Sequence, residues 1–175
     1  MNWKSAQAAF TSLSKIWRTK DISLRTKLRI YNSNVKSVLL YGCETWNASQ
    51  TCIKRIQVFI NRCLRKLLRI KWTGKVSNEI VWERTRQSPV RDEIGRRRWR
   101  WIGHTLRKPG NSITKKALDW NPQGKRSRGR PRGTWRRVIE NDVQRSGKTW
   151  NNVKKLAQDR EGWKVCVGGL YPDLG

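Results

Sequence analysis

The sequence predicts a mainly α-helical protein: a small helical bundle followed by a basic helical extension with a Gly/Pro/Arg-rich loop. Three observations point there. Apolar residues recur at three- and four-residue spacing through most of the 175 positions, the period of a helix with one buried face. Ser, Thr or Asp stands ahead of most of these runs, where a side-chain oxygen can satisfy a helix's first unpaired amides. Gly and Pro fall mostly between the runs, and strand-like alternation is scarce.

Residues 5–17 carry Ala9, Leu13, Ile16 and Trp17 at helical spacing. Asp21 or Ser23 is placed to cap a second helix from 24 towards 41, with Leu24, Leu28, Tyr31, Val35, Val38 and Leu39 on its apolar side, and Gly42 breaks it. Ser49 or Thr51 caps the third and clearest helix. Ile53, Ile56, Phe59, Ile60, Cys63, Leu64, Leu67 and Leu68 form one face; Lys54, Arg55, Arg62, Arg65, Lys66 and Arg69 fill the rest. Such a helix can bind a membrane surface or calmodulin. Packing on neighbouring helices, with the basic side left to water or phosphate, accounts for the same pattern.

Residues 71–75, with Trp72 and Gly74, read as a turn. Ser77 caps a short helix through Trp82 to Thr85, and Pro89 opens a longer one over 90–107 that Pro109 and Gly110 end. Ser112 or Thr114 starts a short helix to Leu118. Residues 121–133, with Pro122, Gly124, Gly129, Pro131 and Gly133, read as a loop. Thr134 caps a helix over 135–144, Gly147 interrupts, and a last helix is expected over 149–166 before an irregular GGLYPDLG tail. The expected organisation is a helical unit over 1–74, a basic Trp-rich extension over 75–170 and a tail over 171–175. Composition shifts near Gly95: from Gly95 to Arg137 there are fifteen Lys or Arg and one acid, Asp119.

Charge narrows the function classes. Forty Lys and Arg against 12 Asp and Glu give a net charge of +28, which repels itself in a compact chain and calls for an anionic partner. Nucleic acid is the first candidate, because Arg dominates where the charge is densest and its planar fork suits phosphates and base edges. An anionic membrane comes second, although no run approaches the roughly 18 apolar residues of a membrane span. The N-terminus has no signal-peptide pattern, so Cys43, Cys52, Cys63 and Cys166 are expected as thiols.

No catalytic or metal site is expected. A polymerase needs clustered carboxylates to hold two metal ions, whereas Asp92–Glu93 and Glu140 with Asp142 are the nearest pairs here. Each suits a helix end or a neighbouring Arg. Cys52 and Cys63 are too far apart along a helix to share a zinc, and His104 has no cysteine near it. No cofactor is implied. What remains is a binding surface: Arg96, Arg97, Arg98, Arg100, Arg107 and Lys108 on a helix, and Lys125, Arg126, Arg128, Arg130 and Arg132 on the loop. His104 suits either a structural hydrogen bond or a phosphate. Trp99 and Trp101 lie about 200° apart on a helix, so one can be core while the other is not, and both suit stacking on unpaired bases. The RGRPRG stretch fits an AT-hook arm pressed into a narrow minor groove, and also a nuclear-import signal.

Taken together, LRIYNSNVKSVLLYGCETW, FINRCLRKLLRIKW, RRRWRWIGHTLRKP and GRPRGTWRR, in that order, resemble the C-terminal end of non-LTR (LINE-type) retrotransposon endonuclease–reverse transcriptases. The resemblance runs over about residues 10–170. It implies a thumb-like helical unit that grips the template–primer duplex, then a C-terminal extension that binds nucleic acid during target-primed reverse transcription. His104 falls in the Gly-His motif of that extension, and Trp135, Arg136 and Arg137 in its GRPR-TW motif. The family's catalytic aspartates and endonuclease domain lie upstream of the matching region, so this chain is expected to bind rather than to polymerise. Its partners would be RNA, DNA or a hybrid, together with the palm and fingers of a parent enzyme, and no membrane. Its place would be the nucleus or a cytoplasmic ribonucleoprotein. On this reading Met1 falls where a parent would be entering its thumb, which suggests a truncated copy or a partial gene model. An AT-hook-like chromatin protein and a retroelement fossil without selected function are the alternatives. The tryptophans and capped helices around RGRPRG favour a loop between helices over a free hook.

Overall fold

The computed structural model describes residues 2–71, 73–119 and 135–172, and every regular element among them is helical. The order is α1 (Trp3–Ser12), α2 (Ser14–Arg18), α3 (Leu24–Tyr31), a π-helical segment (Asn32–Lys36), α4 (Ser37–Leu39), α5 (Gln50–Leu67), α6 (Asn78–Thr85), α7 (Val90–Leu106), α8 (Ile113–Asp119), α9 (Trp135–Arg145), α10 (Trp150–Leu156) and α11 (Arg160–Leu170). The chain forms two compact units. One comprises Met1–Cys43 and Gln50–Ile94, the other Glu44–Ser49 and Gly95–Pro172.

The first unit is built around α5. Its apolar stripe, Ile56, Phe59, Ile60, Cys63, Leu64 and Leu67, is buried. Phe10 and Trp17 stack with centroids 5.3 Å apart, and Tyr31 meets Phe10 edge-on at 6.4 Å. Each fully buried side chain of this size contributes about 1.5–3 kcal/mol by leaving water.

The single helix expected over 5–17 is two. The break falls at Leu13, and the Trp17 indole donates to the Phe10 carbonyl at 2.7 Å, supplying a bond to backbone near the interruption. The second expected helix is continuous but under-wound, with one extra residue in its π-helical turn. Asn34 Nδ2 and Ser33 Oγ donate to the Ile30 carbonyl, and Ser37 Oγ donates to the Ser33 carbonyl. These polar side chains take up carbonyls that the wider π turn leaves short. Val35 and Lys36 are both buried by that turn, and Lys36 Nζ meets Gln87 Oε1 at 2.9 Å and Glu93 Oε2 at 3.4 Å. Gly42 follows at φ 66°, ending the run as its sequence position implied.

The sequence placed 75–94 with the basic extension, but the structure packs them in the first unit. Val81 and Val90 are buried, Trp82 Nε1 donates to Asn61 Oδ1 at 2.9 Å, and the Val90 amide donates to Gln57 Oε1 at 2.7 Å. Asn61 and Gln57 are polar positions on α5 whose role as anchors needs the partner helix to be seen.

The second unit has its own core of Trp99, Ile102, Leu106, Leu118, Ile139, Val143, Val153, Ala157, Trp163 and Val167. The helix expected over 149–166 is again two. Asp159 accepts from the Glu161 amide at 3.0 Å and so caps α11, while Thr149 caps α10. A Cβ on Gly162 would crowd the Asp159 carboxylate, so glycine there keeps the cap in place. The GGL of the expected tail is the last turn of α11, held by buried Val167.

Candidate nucleic-acid interface

The basic run of α7 divides by helical geometry. At 100° per residue, three successive arginines cannot share one face. Trp99, Ile102 and Leu106 point into the core, and Trp163 stacks on Trp99 at 5.4 Å while its Nε1 donates to the Trp99 carbonyl at 3.1 Å. Gly95 and Gly103 make room on this side: a Cβ at 95 would overlap the Tyr171 ring, and one at 103 the Trp163 indole. The Trp99 Nε1 is buried with no hydrogen-bond acceptor among the described residues.

Two of the arginines expected to bind nucleic acid are therefore inside the unit. Arg96 is 6% exposed and donates through Nε and Nη2 to the carbonyls of Tyr171 and Pro172 at 3.2 and 2.8 Å. Arg98 is 5% exposed, pairs with Asp142 Oδ2 at 3.5 Å and donates to the Trp46 carbonyl at 3.2 Å. They tie the C-terminal turn, α9 and the 44–49 segment together, and are structural groups rather than the surface groups the sequence predicts. Arg107 is half-buried, its Nη1 donating to the Ala157 carbonyl at 2.8 Å, where it closes the end of α10. Lys108 is half-buried beside Thr114 Oγ1 at 3.3 Å.

Arg100 and His104 are exposed, four residues apart on the outer face of α7, with half-buried Arg97 on the same side. On α9, Arg136 and Arg137 are exposed, and Arg136 pairs with Glu140 at 3.4 Å, an i,i+4 contact in open solvent that contributes little. Trp135 is half-buried: its Nε1 donates to the Glu44 carbonyl at 2.7 Å, and its ring meets Trp101 edge-on at 5.7 Å. Lys125, Arg126, Arg128, Arg130 and Arg132, with the RGRPRG stretch, lie outside the described residues.

The first unit carries a second basic surface. On α5, Lys54, Arg55, Arg62 and Lys66 are exposed, and so is Arg69 just past its end. Arg69 closes α5 in the left-handed region at φ 56°, and its Nη2 donates to the carbonyls of Arg18 and Thr19 at 2.7 Å each. Lys27, only 4% exposed, donates to the Thr19 carbonyl at 2.5 Å and the Trp17 carbonyl at 3.3 Å. Burial, and then the Arg69 guanidinium, lower the Lys27 pKa, with Asp21 acting weakly the other way. Two cations thus converge on the end of α2. The alternation of charge along α5 signals its basic side in sequence; the meeting with Arg18 and Lys27, some 40 to 50 positions away, has no local signature.

Among the described residues, no group of three or more His, Cys, Asp or Glu side chains gathers to hold a metal ion, and no helix is long and apolar enough to cross a membrane. No disulfide joins the four cysteines.

Residues 9–41, from within α1 to just past α4, match the model of a family described as a domain of unknown function, DUF6451. Over 171 residues, 92% of this chain, the sequence is 25% identical to an uncharacterized transposon-derived protein of Caenorhabditis elegans. The similarity points to a transposon-related origin. The chain spans 61% of that relative's length. No solved structure matches.

Proposed function

We propose that this chain is a non-catalytic nucleic-acid-binding segment of a retrotransposon reverse transcriptase, the part that holds template RNA, primer or target DNA beside a palm and fingers supplied by the parent enzyme. The observation that supports this reading best is the charge: a net +28, with exposed cations on α5 of one unit and on α7 and α9 of the other. The transposon-derived relative makes a polyanionic partner the natural one. Arg100, His104, Arg136 and Arg137 are the surface groups of the second unit that contact phosphate, with Arg97 beside them. Binding is non-specific in its main term and acts in the nucleus, where target DNA lies. The pure chain carries out no Mg²⁺-dependent synthesis or cleavage.

Fluorescence anisotropy of the purified chain with a labelled RNA–DNA primer–template tests this. With about 6–10 phosphate contacts, affinity should fall about 10³–10⁵-fold between roughly 50 and 200 mM salt. A flat salt response, or no binding, overturns the reading. Strong preference for AT-rich over GC-rich duplex would move it to an AT-hook-like architectural protein.

A further inference from the structure

The half-open cleft where α1, α2 and α5 meet has a volume of about 550 Å³, and no carboxylate is among the described residues that line it. Arg18, Lys66 and Arg69 stand around it, with Ser14 and Thr11 between them. Thr11 Oγ1 donates to the Gln7 carbonyl, so Ser14 is the hydroxyl with a proton to offer. Lys66 Nζ lies 5.8 Å from the centroid of the Phe10 ring. Arg69 reaches both α2 carbonyls through Nη2 alone, so Nη1 and Nε remain as donors. Arg18 is exposed, and among the described residues its guanidinium has no partner.

Two further features single this cleft out from an ordinary solvated basic face. Arg69 occupies a left-handed position at φ 56°, where glycine would be more favourable by about 1 kcal/mol. Its side chain holds the carbonyls of Arg18 and Thr19, which fixes the guanidinium at the wall of the cleft. Behind the cleft, Lys27 and Arg69 donate to the same Thr19 carbonyl, so positive charge accumulates at one point, with Asp21 acting against it. An anion in the cleft relieves that repulsion, and the fork of an arginine matches a phosphate better than a point charge does.

We propose that this cleft seats one backbone phosphate of a bound nucleic acid, held by Arg18, Lys66, Arg69 and the Ser14 hydroxyl. The proposal rests on the nucleic-acid-binding reading above and adds a site to it. The seat is a place of fixed geometry in the first unit, distinct from the outer face of α7, and sets where the strand enters that unit.

The test uses the full chain and a labelled 20-nucleotide duplex, with affinity followed against salt. The double variant Arg18→Ala/Arg69→Gly removes two walls of the seat while giving the strained position the residue its backbone favours. Arg18→Ala alone touches no internal bond. The slope of log affinity against log salt should become shallower by about 1 in the double variant, with affinity about tenfold lower at low salt. Arg18→Ala alone should show part of that loss with an unchanged melting curve. If the double variant melts cooperatively and keeps the wild-type slope, the seat is wrong and the general reading stands. If the wild-type chain binds no duplex, both fall. Should the double variant fail to fold, an unchanged slope in Arg18→Ala and Lys66→Gln overturns the seat. An arm with inorganic phosphate at constant ionic strength separates the sources: a cleft that saturates with the free ion while duplex binding is untouched is not a backbone seat.

Discussion

The Trp163 indole lies directly against the backbone of Gly103, in space that a Cβ on residue 103 would fill, and donates its Nε1 proton to the Trp99 carbonyl one turn back. The close approach lets the two tryptophans stack at 5.4 Å in the centre of the second unit. The glycine beside His104 is therefore a packing residue, whatever His104 does at the surface.

Gly103→Ala should destabilise the second unit. The added methyl forces the indole aside at a cost of about 1–3 kcal/mol, against which Ala's better helix propensity returns at most about 1 kcal/mol. Gly168→Ala, on an exposed part of α11 with nothing near its Cβ, should raise stability by about 0.5–1 kcal/mol. Urea unfolding followed by tryptophan fluorescence measures both. Equal behaviour of the two variants would show that the Gly103 contact is not tight.

Arg98→Ala and Arg100→Ala should separate structure from binding. The first leaves Asp142 and the Trp46 carbonyl without their buried partner and should cost about 3 kcal/mol or more. The second alters an exposed side chain and should change stability by no more than about 0.5 kcal/mol, while weakening nucleic-acid binding. Circular-dichroism melts paired with anisotropy read both effects. An unstable Arg100→Ala, or a fully stable Arg98→Ala, would contradict the division of α7 drawn above.

Arg86→Gly should stabilise the first unit. Arg86 ends α6 at φ 48°, with its amide bonded to the Glu83 carbonyl and the next amide to that of Trp82, the pattern in which glycine is preferred. Its side chain is exposed, so a gain of about 0.5–1 kcal/mol is expected from relief of the left-handed conformation. An unchanged or lower denaturation midpoint would mean that the side chain contributes something the backbone does not show.

Alkaline pH should weaken the first unit through Cys63. Burial pushes its thiol from the ordinary 9.0 up to about 12, with Lys66 and Arg62 pulling weakly down, and burial likewise raises Tyr31. Both keep their protons in the fold where the unfolded chain has lost them. The Cys63 contribution is complete below pH 9 and is lost as pH rises from there towards about 12, while that of Tyr31 is lost only above pH 10. Lys27 acts in the opposite sense: its lowered pKa means that folding gains as pH rises towards 10.5. Comparing wild type with Cys63→Val isolates the thiol. Above pH 9 the wild type should lose up to about 1.4 kcal/mol per pH unit more than the variant, and parallel stability curves would rule the thiol out.

Much of this architecture is legible from residue order. Ser23 and Ser77 each accept the amide bond that their sequence positions imply, because an N-cap is decided within four residues. The apolar face of α5 is buried as its spacing indicates. The breaks at Leu13 and at 157–159 do not show in the spacing, because both are made by contacts or caps that compete with an uninterrupted helical pattern. The division at Gly95 was visible as a shift in composition, while the allegiance of 75–94 depended on Asn61 and Gln57 reaching across from α5.

The sequence by itself determined that the chain is helical and strongly basic. These follow from local spacing, from counting charges, and from the short reach of a cap. Only the tertiary structure decided which of the neighbouring arginines 96, 97, 98 and 100 face outward, and that Arg18, Lys66 and Arg69 line one cleft. The reason is geometric. A helix turns each successive side chain by 100°, so a run of like residues is distributed around the axis, and the helices packed against it determine which of them remain in water.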